Sequence, residues 1–246
     1  MPGMRAETSR RIQTMYLRKN WLFMTMKALL ALLGAYAVGC HMTADRWSDF
    51  NYYTVLSNTA CLVYFAASLA VNAMRMYEGK HTRTWKPRIE GAVVFCITVT
   101  MIVYHAVLRP EAFRMGDGAS FYSPLNIVQH YAVPLLALLD WLLLSPKGRW
   151  HRHDPAAWML IPLLYFVYIL IRAPFAGDIG ASGSPYPYGF IDVQALGVGV
   201  AARNALLAAA GMLALAYLLY FVDRMLALAG RALQRRSKAG QGVSAG

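Results

Sequence analysis

Residues 205–222 read ALLAAAGMLALAYLLYFV, a run in which no side chain carries a charge. A helix needs roughly 20 predominantly apolar residues to cross a hydrocarbon core of about 30 Å. The run is apolar on every face, whereas a transmembrane β-strand alternates apolar and polar residues over about 10 positions. The stretch therefore predicts a membrane-spanning helix.

Five further segments of the 246-residue chain have the same character, and the composition agrees with them. Hydrophobic residues make up 58% of the chain, charged residues only 15%, and the mean hydropathy is +0.38, which is unusual for a soluble domain. We predict an all-α, polytopic membrane protein with a basic segment at 1–20, a six-helix transmembrane domain at 21–225 and a basic, disordered tail at 226–246. The predicted spans are Trp21–His41, Tyr52–Met74, Gly91–Leu108, Pro124–Leu144, Ala156–Ala173 and Val198–Val222.

The net charge of +12 would point to nucleic acid if the protein were soluble. Its distribution suggests another cause, because 18 of the 24 Lys and Arg residues lie at the two termini and in the second and fourth loops, and only five lie in the other loops. The positive-inside rule then predicts that both termini are cytoplasmic. The charge follows the topology, and we expect no nucleic-acid partner.

The first span and the cysteines argue against processing and against redox or metal chemistry. The apolar run after the basic N-terminus is about 20 residues long, which fits a retained helix better than the 7–15-residue core of a signal peptide. Cys40, Cys61 and Cys96 fall in or beside predicted spans without metal-ligand spacing. We therefore expect no disulfide framework, no metal and no organic cofactor.

Polar residues inside predicted spans are candidates for function because they are costly in hydrocarbon. Thr54, Asn58 and Cys61 follow i, i+4, i+7 spacing in the second span, so they share one helix face. Asn126 and His130 are spaced i, i+4 in the fourth span, one turn before Pro134. The outer ends of the remaining spans add Tyr104, His105, Arg109, Tyr165, Tyr168, Arg172, Arg203 and Asn204.

Thr54 and His130 form the most reactive combination in this set. A neutral imidazole can take the proton of a hydroxyl and so activate it as a nucleophile for acyl transfer. Such a reaction also needs donors for the oxyanion, and Asn58, Asn126, Tyr104 and Arg109 all remain possible by spacing. Asp192 is the first candidate for a carboxylate that orients His130, and Asp49 is the second.

Three stretches resemble a known family. Phe50-Asn51-Tyr52-Tyr53-Thr54 looks like its entry to an early span, Leu125-Asn126-Ile127-Val128-Gln129-His130 is similar to its Leu-Asn-x-x-x-His motif, and Tyr186-Pro187-Tyr188-Gly189-Phe190-Ile191-Asp192 is similar to the stretch before its last span. The family is the androgen-induced membrane proteins, six-span hydrolases that cleave fatty acid esters of hydroxy fatty acids with a threonine and a histidine. The chain most resembles a bacterial branch.

This resemblance implies that Thr54 is the nucleophile, that His130 is the base and that the substrate is a membrane lipid or fatty acyl ester. It also implies residence in a bacterial inner membrane. The sequence departs from the family pattern at Gly189, where a proline is usual, and at Pro134, which follows the histidine one position sooner. A more distant relation, to membrane acyltransferases that use cysteine and histidine, makes Cys61 an alternative nucleophile.

A transporter or a lipid-binding or ligand-binding protein without catalysis is the competing interpretation, because the same polar residues could form a binding site. It requires polar residues deeper in the membrane, and the sequence supplies Lys27, Cys96 and Asp140. For Asp140 the simpler expectation is pairing with a basic loop residue such as Lys147 or Arg149.

Overall fold

The computed structural model describes residues 2–43, 47–114, 122–179 and 183–243, and every regular element in these ranges is helical. Six helices are long and apolar enough to span a membrane, which confirms the predicted all-α, multi-pass class. The candidate spans are Asn20–Thr43, Tyr53–Tyr77, Pro87–Glu111, Pro124–Leu144, Asp154–Arg172 and Val198–Arg235.

The elements follow one another as helices with short connections. They are α1 (Pro2–Thr43), a 3₁₀ turn (Trp47–Asn51), α2 (Tyr53–Tyr77), α3 (Pro87–Val103), a first π turn (Tyr104–Leu108), α4 (Arg109–Arg114), α5 (Pro124–Ile127), a second π turn (Val128–Ala132), α6 (Val133–Leu144), α7 (Asp154–Trp158), α8 (Leu160–Arg172), a 3₁₀ turn (Gly189–Ile191), α9 (Val193–Leu196) and α10 (Val198–Val243).

The two terminal helices extend beyond the candidate spans they contain. α1 begins at Pro2, so the basic segment at 1–20 is continuous with the first span. α10 extends to Val243, through most of the tail that was predicted to be disordered. The physical reason is propensity: Ala, Leu, Arg, Gln and Lys dominate this stretch and are strong helix formers.

The chain divides into two compact units. The first comprises the residues up to Lys86 together with Cys96–Ser145, and the second comprises Pro87–Phe95 and Pro146–Gly246. In the first unit α1 packs along α2 and also contacts α6. A Cβ added to Gly34 in α1 would come within 3.1 Å of the Cβ of Leu62 in α2, so a small residue is needed for these two helices to approach so closely.

A buried ion pair links α1 to α6 in the first unit. Lys27 donates a hydrogen bond to Asp140, and both side chains are fully buried. The Lys27 ammonium also lies 4.7 Å from the ring centroid of Phe23 and 5.1 Å from that of Phe65. A loop residue was the expected partner for Asp140; the observed ion pair is with a lysine of the first span, which the packing of α1 against α6 brings to it.

The second unit contains packed indole rings and a buried acid that accepts a hydrogen bond. A side chain at Gly91 would collide with the rings of Trp150 and Trp158, so glycine is required there. The indole N–H of Trp150 donates to the carbonyl of Pro87 at 2.9 Å. Asp223 of α10 is buried and accepts the backbone N–H of Gly148 at 2.7 Å, which ties α10 to the loop after α6.

Two π turns interrupt the helices of the first unit, and each is followed by a proline. The N–H of Arg109 bonds the carbonyl of Tyr104, and the N–H of Val133 bonds that of Val128, which is the i→i−5 pattern. Pro110 and Pro134 lack an N–H, and a proline ring clashes with the carbonyl four residues earlier, here within the turn. The prolines thus explain why the helices widen at these positions.

Candidate active site in the first unit

Thr54 and His130 lie in hydrogen-bonding contact although 76 positions separate them in the chain. Thr54 is the second residue of α2, and His130 lies in the second π turn. The distance from Thr54 Oγ1 to His130 Nε2 is 3.3 Å, slightly beyond the range of about 2.6–3.2 Å for a nucleophile and its base, which is often exceeded in a site without ligand. The structure therefore brings together the two residues on which the sequence prediction depends.

The second ring nitrogen of His130 decides which nitrogen carries the proton. His130 Nδ1 lies 3.0 Å from the carbonyl oxygen of Asn126. A carbonyl can only accept, so Nδ1 bears the hydrogen and Nε2 of the neutral ring is the acceptor. The Thr54 hydroxyl then donates to Nε2. This is the tautomer that a general base toward Thr54 requires.

Tyr104 holds the flat face of the imidazole. Its ring stacks on that of His130 with 3.7 Å between centroids and 16° between planes. The Tyr104 hydroxyl accepts a hydrogen bond from Asn126 Nδ2 at 2.5 Å. Tyr104 lies in the first π turn and His130 in the second, so the two irregular turns meet at this stack. Asn126 contributes twice, through its carbonyl to the histidine and through its amide to the tyrosine.

Asn58 supports the backbone around Thr54 and does not point a donor at a substrate. Its amide nitrogen donates to the carbonyl of Thr54 at 2.9 Å and to that of Gln129 at 3.3 Å. Both of its N–H groups are therefore engaged. The Ser57 hydroxyl also donates to the Thr54 carbonyl at 3.0 Å and lies 2.7 Å from the hydroxyl of Thr100. Of the two roles open to Asn58, contact with a substrate and support of the site, the observed bonds favour support.

The residues of the site differ in how much of their surface is exposed. Asn58 is fully buried and His130 is 7% exposed, whereas Thr54 is half-buried. Thr54 is thus the more exposed residue of the pair, and the residues that orient it are more deeply buried. A more exposed nucleophile beside a buried base favours access of a reacting group to Thr54 and exclusion of water from His130.

Two further predicted residues lie on the third span without a direct bond to the pair. His105 is exposed, and its Nδ1 lies 3.0 Å from the hydroxyl of Tyr131. The Arg109 guanidinium lies over the Phe113 ring, 5.6 Å from its centroid. Neither contact involves Thr54 or His130, so their assignment to the site stays a prediction.

Asp192 belongs to the second unit, and its partners there are local. It accepts from the Ser184 hydroxyl at 2.6 Å and from the backbone N–H of Ala195 at 2.9 Å, as the N-cap of α9. Burial, the largest single influence, raises its pKa, but hydrogen bonds from Ser184 and from the N–H groups of Ala195 and Gln194 together hold the pKa below its ordinary value. The group that orients His130 is the Asn126 carbonyl, so the predicted carboxylate partner is not needed.

Other residues predicted near the site also have structural roles in the second unit. Arg172 donates to the carbonyls of Pro185 at 3.1 Å and Gly177 at 3.0 Å. Asn204 donates to the carbonyl of Phe190 at 3.0 Å. These bonds tie the loop before α9 to α8 and α10. The likeness in the stretch from Tyr186 to Asp192 thus falls on a loop that is largely buried.

The sequence argument missed His41. It is buried near the end of α1, and its Nδ1 lies 2.7 Å from the carboxylate of Asp49. Its Nε2 lies 2.5 Å from the side-chain amide of Gln129, the neighbour of His130. Asp49 was considered as a partner for His130 and pairs with His41 instead. A histidine at the last turn of a span, eight positions before an acid, was the available signal.

One cluster of possible metal ligands occurs among the described residues, in the second unit. His151, His153 and Asp154 have ligand atoms within 4.8 Å of one another. The Arg88 guanidinium already binds both carboxylate oxygens of Asp154 and donates to His153 Nε2 at 3.2 Å. The positively charged guanidinium of Arg88 is therefore the cation that these three residues surround. The observed bonds explain the cluster as an ion pair between Arg88 and Asp154.

Comparison with known proteins adds no relative to this description. No protein-family model, no curated protein and no solved structure matches the chain.

Proposed function

We propose that the protein is an integral membrane hydrolase of lipid esters, with Thr54 as nucleophile and His130 as general base. The observation that carries the proposal is the 3.3 Å contact between Thr54 Oγ1 and His130 Nε2, in a ring whose Nδ1 is committed to the Asn126 carbonyl. A hydroxyl and a correctly protonated imidazole are the minimum machinery for acyl transfer through a covalent intermediate.

In the first half-reaction Thr54 Oγ1 attacks the carbonyl carbon of the ester while its proton moves to His130 Nε2. The tetrahedral adduct collapses when the bond to the alcohol oxygen breaks, and the imidazolium returns the proton to that oxygen. The products are the free alcohol and an ester between the acyl group and Thr54. His130 is neutral again and ready for the second half.

In the second half-reaction water takes the position that the alcohol has left. His130 Nε2 accepts a proton from the water as its oxygen attacks the acyl carbon, and then returns it to Thr54 Oγ1 as the acyl bond breaks. The carboxylic acid leaves and Thr54 is regenerated. The Tyr104 ring, stacked on the imidazole, and the Asn126 carbonyl hold the base in one orientation through both halves.

For the oxyanion we propose the N-terminal end of α2. Thr54 is the second residue of this helix, and the N-cap residue Tyr52 makes no side-chain hydrogen bond to the first turn. The first N–H groups of a helix have no partner within it, and the positive end of the helix dipole stabilises negative charge there. The N–H of Thr54 and this dipole then face charge that develops beside Thr54 Oγ1.

A lipid ester fits the position of the pair. Thr54 lies one residue inside the start of the second candidate span and is half-buried, so the ester would lie near the membrane surface with its acyl chains along the helices. The resemblance to the androgen-induced membrane protein family adds fatty acid esters of hydroxy fatty acids as the first substrates to test. We further propose that both termini are cytoplasmic and that the site faces the outer leaflet of a bacterial inner membrane.

The decisive experiment measures hydrolysis of fatty acyl esters by the purified protein in detergent, together with labelling by a fluorophosphonate that traps activated hydroxyl groups. We expect Thr54→Ala and His130→Ala each to lower turnover by at least about 10³-fold and to abolish labelling, because each removes one half of the proton transfer. Thr54→Ser keeps a hydroxyl and should retain labelling.

Two controls separate this result from a loss of structure. Thr59→Ala removes a half-buried hydroxyl of α2 that bonds only the carbonyl of Val55 among the contacts observed, and His81→Ala removes an exposed loop histidine. Both should leave turnover unchanged. Unchanged turnover in purified Thr54→Ala would refute the proposal, and binding of ester without turnover by the wild-type protein would favour a binding protein or transporter.

A further inference from the structure

A second hydrogen-bonded chain lies next to the candidate active site and ends at the residue before His130. It runs from Asp49, in the 3₁₀ turn Trp47–Asn51, to His41 near the end of α1 and on to Gln129 in the second π turn. His41 is 7% exposed and Gln129 is 5% exposed. The hydrogen bonds observed for these two residues do not include Thr54, and neither residue takes part in the proton transfers of the proposed reaction.

The donors and acceptors of this chain match at every link. Gln129 Nε2 lies 3.0 Å from the carbonyl of Ala37, which can only accept, so this atom is the amide nitrogen. Its other hydrogen points to His41 Nε2 at 2.5 Å. His41 Nε2 is thus the acceptor, and Nδ1–H donates to Asp49 at 2.7 Å. A single protonation pattern satisfies all three bonds.

Gln129 is also held through its backbone. Its carbonyl accepts from Asn58 Nδ2, the same nitrogen that donates to the Thr54 carbonyl. The side chain is therefore anchored to α1 and the main chain to α2. A π turn is rare and mostly occurs as a single turn at functional sites, and here Pro134 removes one N–H of the regular helix. Contacts from outside the helix then decide the orientation of the turn.

We propose that Gln129, His41 and Asp49 are positioning residues that orient the second π turn and thereby place His130 Nε2 against Thr54. The inference rests on the proposed function for its kinetic consequence. Gln129 and His130 are adjacent in the turn, and adjacent helical residues point about 100° apart around the axis. A small rotation of the turn at Gln129 therefore also rotates His130 and moves its imidazole away from the Thr54 hydroxyl. A displacement of about 1 Å is enough to cost about 10²-fold in rate.

The kinetic test compares four variants in the ester-hydrolysis assay. Gln129→Met and His41→Phe preserve size and remove the bonds, and we expect kcat to fall about 10-fold to 100-fold with KM within about twofold. His41→Gln returns an acceptor toward Gln129 and should recover most of the rate. Thr43→Val is the matched control at the same end of α1, because its exposed hydroxyl bonds only its own helix.

A spectroscopic test does not depend on activity. The chain has six histidines, so ¹⁵N-histidine labelling gives a small spectrum in which His130 is assigned by substitution. Thr54→Val sets the Nε2 resonance for the state without the hydroxyl bond. In Gln129→Met and His41→Phe the His130 Nε2 resonance should move toward that value, and in Thr43→Val it should stay at the wild-type position.

The outcomes separate this inference from the proposed function. If the wild-type protein hydrolyses esters while Gln129→Met and His41→Phe match it in kcat and in the His130 resonance, positioning is refuted and catalysis stands. If the wild-type protein is inactive, the proposed function fails, and the resonance alone still supports or refutes positioning. If Gln129→Met does not fold, the comparison of His41→Gln with His41→Phe decides, and equal values would refute positioning.

Discussion

Two pairs of polar side chains in the first unit join distant spans, yet they differ in charge and in access. Thr54 and His130 form a pair with a neutral hydroxyl donor, and Thr54 is half-buried. Lys27 and Asp140 form an ion pair with both side chains fully buried. Polar residues within a membrane are functional candidates by default. These two pairs show that such candidates are of two kinds. A pair with an exposed member can meet a substrate, whereas a fully buried ion pair holds helices together.

The ion pair should dominate stability. Removing one partner of a buried pair leaves an uncompensated charge, which costs about 3–5 kcal/mol, whereas replacing both by apolar residues is often neutral. We expect Asp140→Ala to destabilise the protein by this amount in denaturant titrations in detergent. The double variant Lys27→Met/Asp140→Leu should recover most of the loss, and Thr54→Ala should change stability little.

This prediction also separates the two competing functions. The hydrolase proposal gives the ion pair no chemical role, so the folded double variant should keep its ester turnover. A transporter that moves charge through Lys27 and Asp140 would lose its flux in proteoliposomes when both are apolar. Loss of turnover in a folded double variant would contradict the conclusion that the Lys27–Asp140 pair is structural and the Thr54–His130 pair catalytic.

The second prediction concerns the irregular turn that carries His130. Pro134→Ala supplies the missing N–H and removes the ring, so the segment can return to regular α-helical bonding and rotate His130. We expect ester turnover to fall about 10-fold to 100-fold, with a loss of stability smaller than that of Asp140→Ala. Pro162→Ala, at a buried proline of α8 in the second unit, is the control. Full turnover in Pro134→Ala would show that the π turn does not set the geometry of the pair.

The third and smallest prediction uses Asp192 as a polar residue outside both pairs. Its pKa in the folded protein lies below the unfolded value of about 3.9, so its contribution to stability is present above that pH and disappears as pH falls through the lower folded pKa. Asp192→Asn should therefore lower the melting temperature at pH 7, because it removes the charge that the hydrogen bonds from Ser184 and Ala195 favour, and the difference should shrink as pH falls through the folded pKa. Loss of turnover in Asp192→Asn, at unchanged stability, would instead assign it to catalysis.

Much of the fold was predictable because the apolar residues of a membrane-spanning helix follow one another in the sequence. Six spans were predicted and six are observed; five agree within about four residues at both ends, and the sixth continues beyond its predicted end at Val222 to Arg235. The tail after 225 was predicted to be disordered, whereas strong helix formers extend α10 to Val243.

The candidate site was predictable in its two principal residues and in two neighbours of His130, Tyr104 and Asn126, but not in the bonds that join them. Thr54 and His130 stood out because a hydroxyl and an imidazole within spans are rare and reactive together. For Asn58 the sequence could not distinguish an amide that donates to a substrate from one that donates, as observed, to two backbone carbonyls. The choice between Asp192 and Asn126 as the partner of His130 likewise depended on three-dimensional placement, since spacing favours no carboxylate.

The sequence by itself determined the solvent, the number of spans and the residue types available for chemistry, because each follows from local composition and helical periodicity. Only the tertiary structure decided which polar groups meet: Lys27 with Asp140, His41 with Asp49, and Thr54 with His130. The reason is that a hydrogen bond requires two atoms within about 3 Å. That distance depends on how helices pack and on where a proline widens a helix into a π turn. It cannot be derived from the sequence of one segment alone.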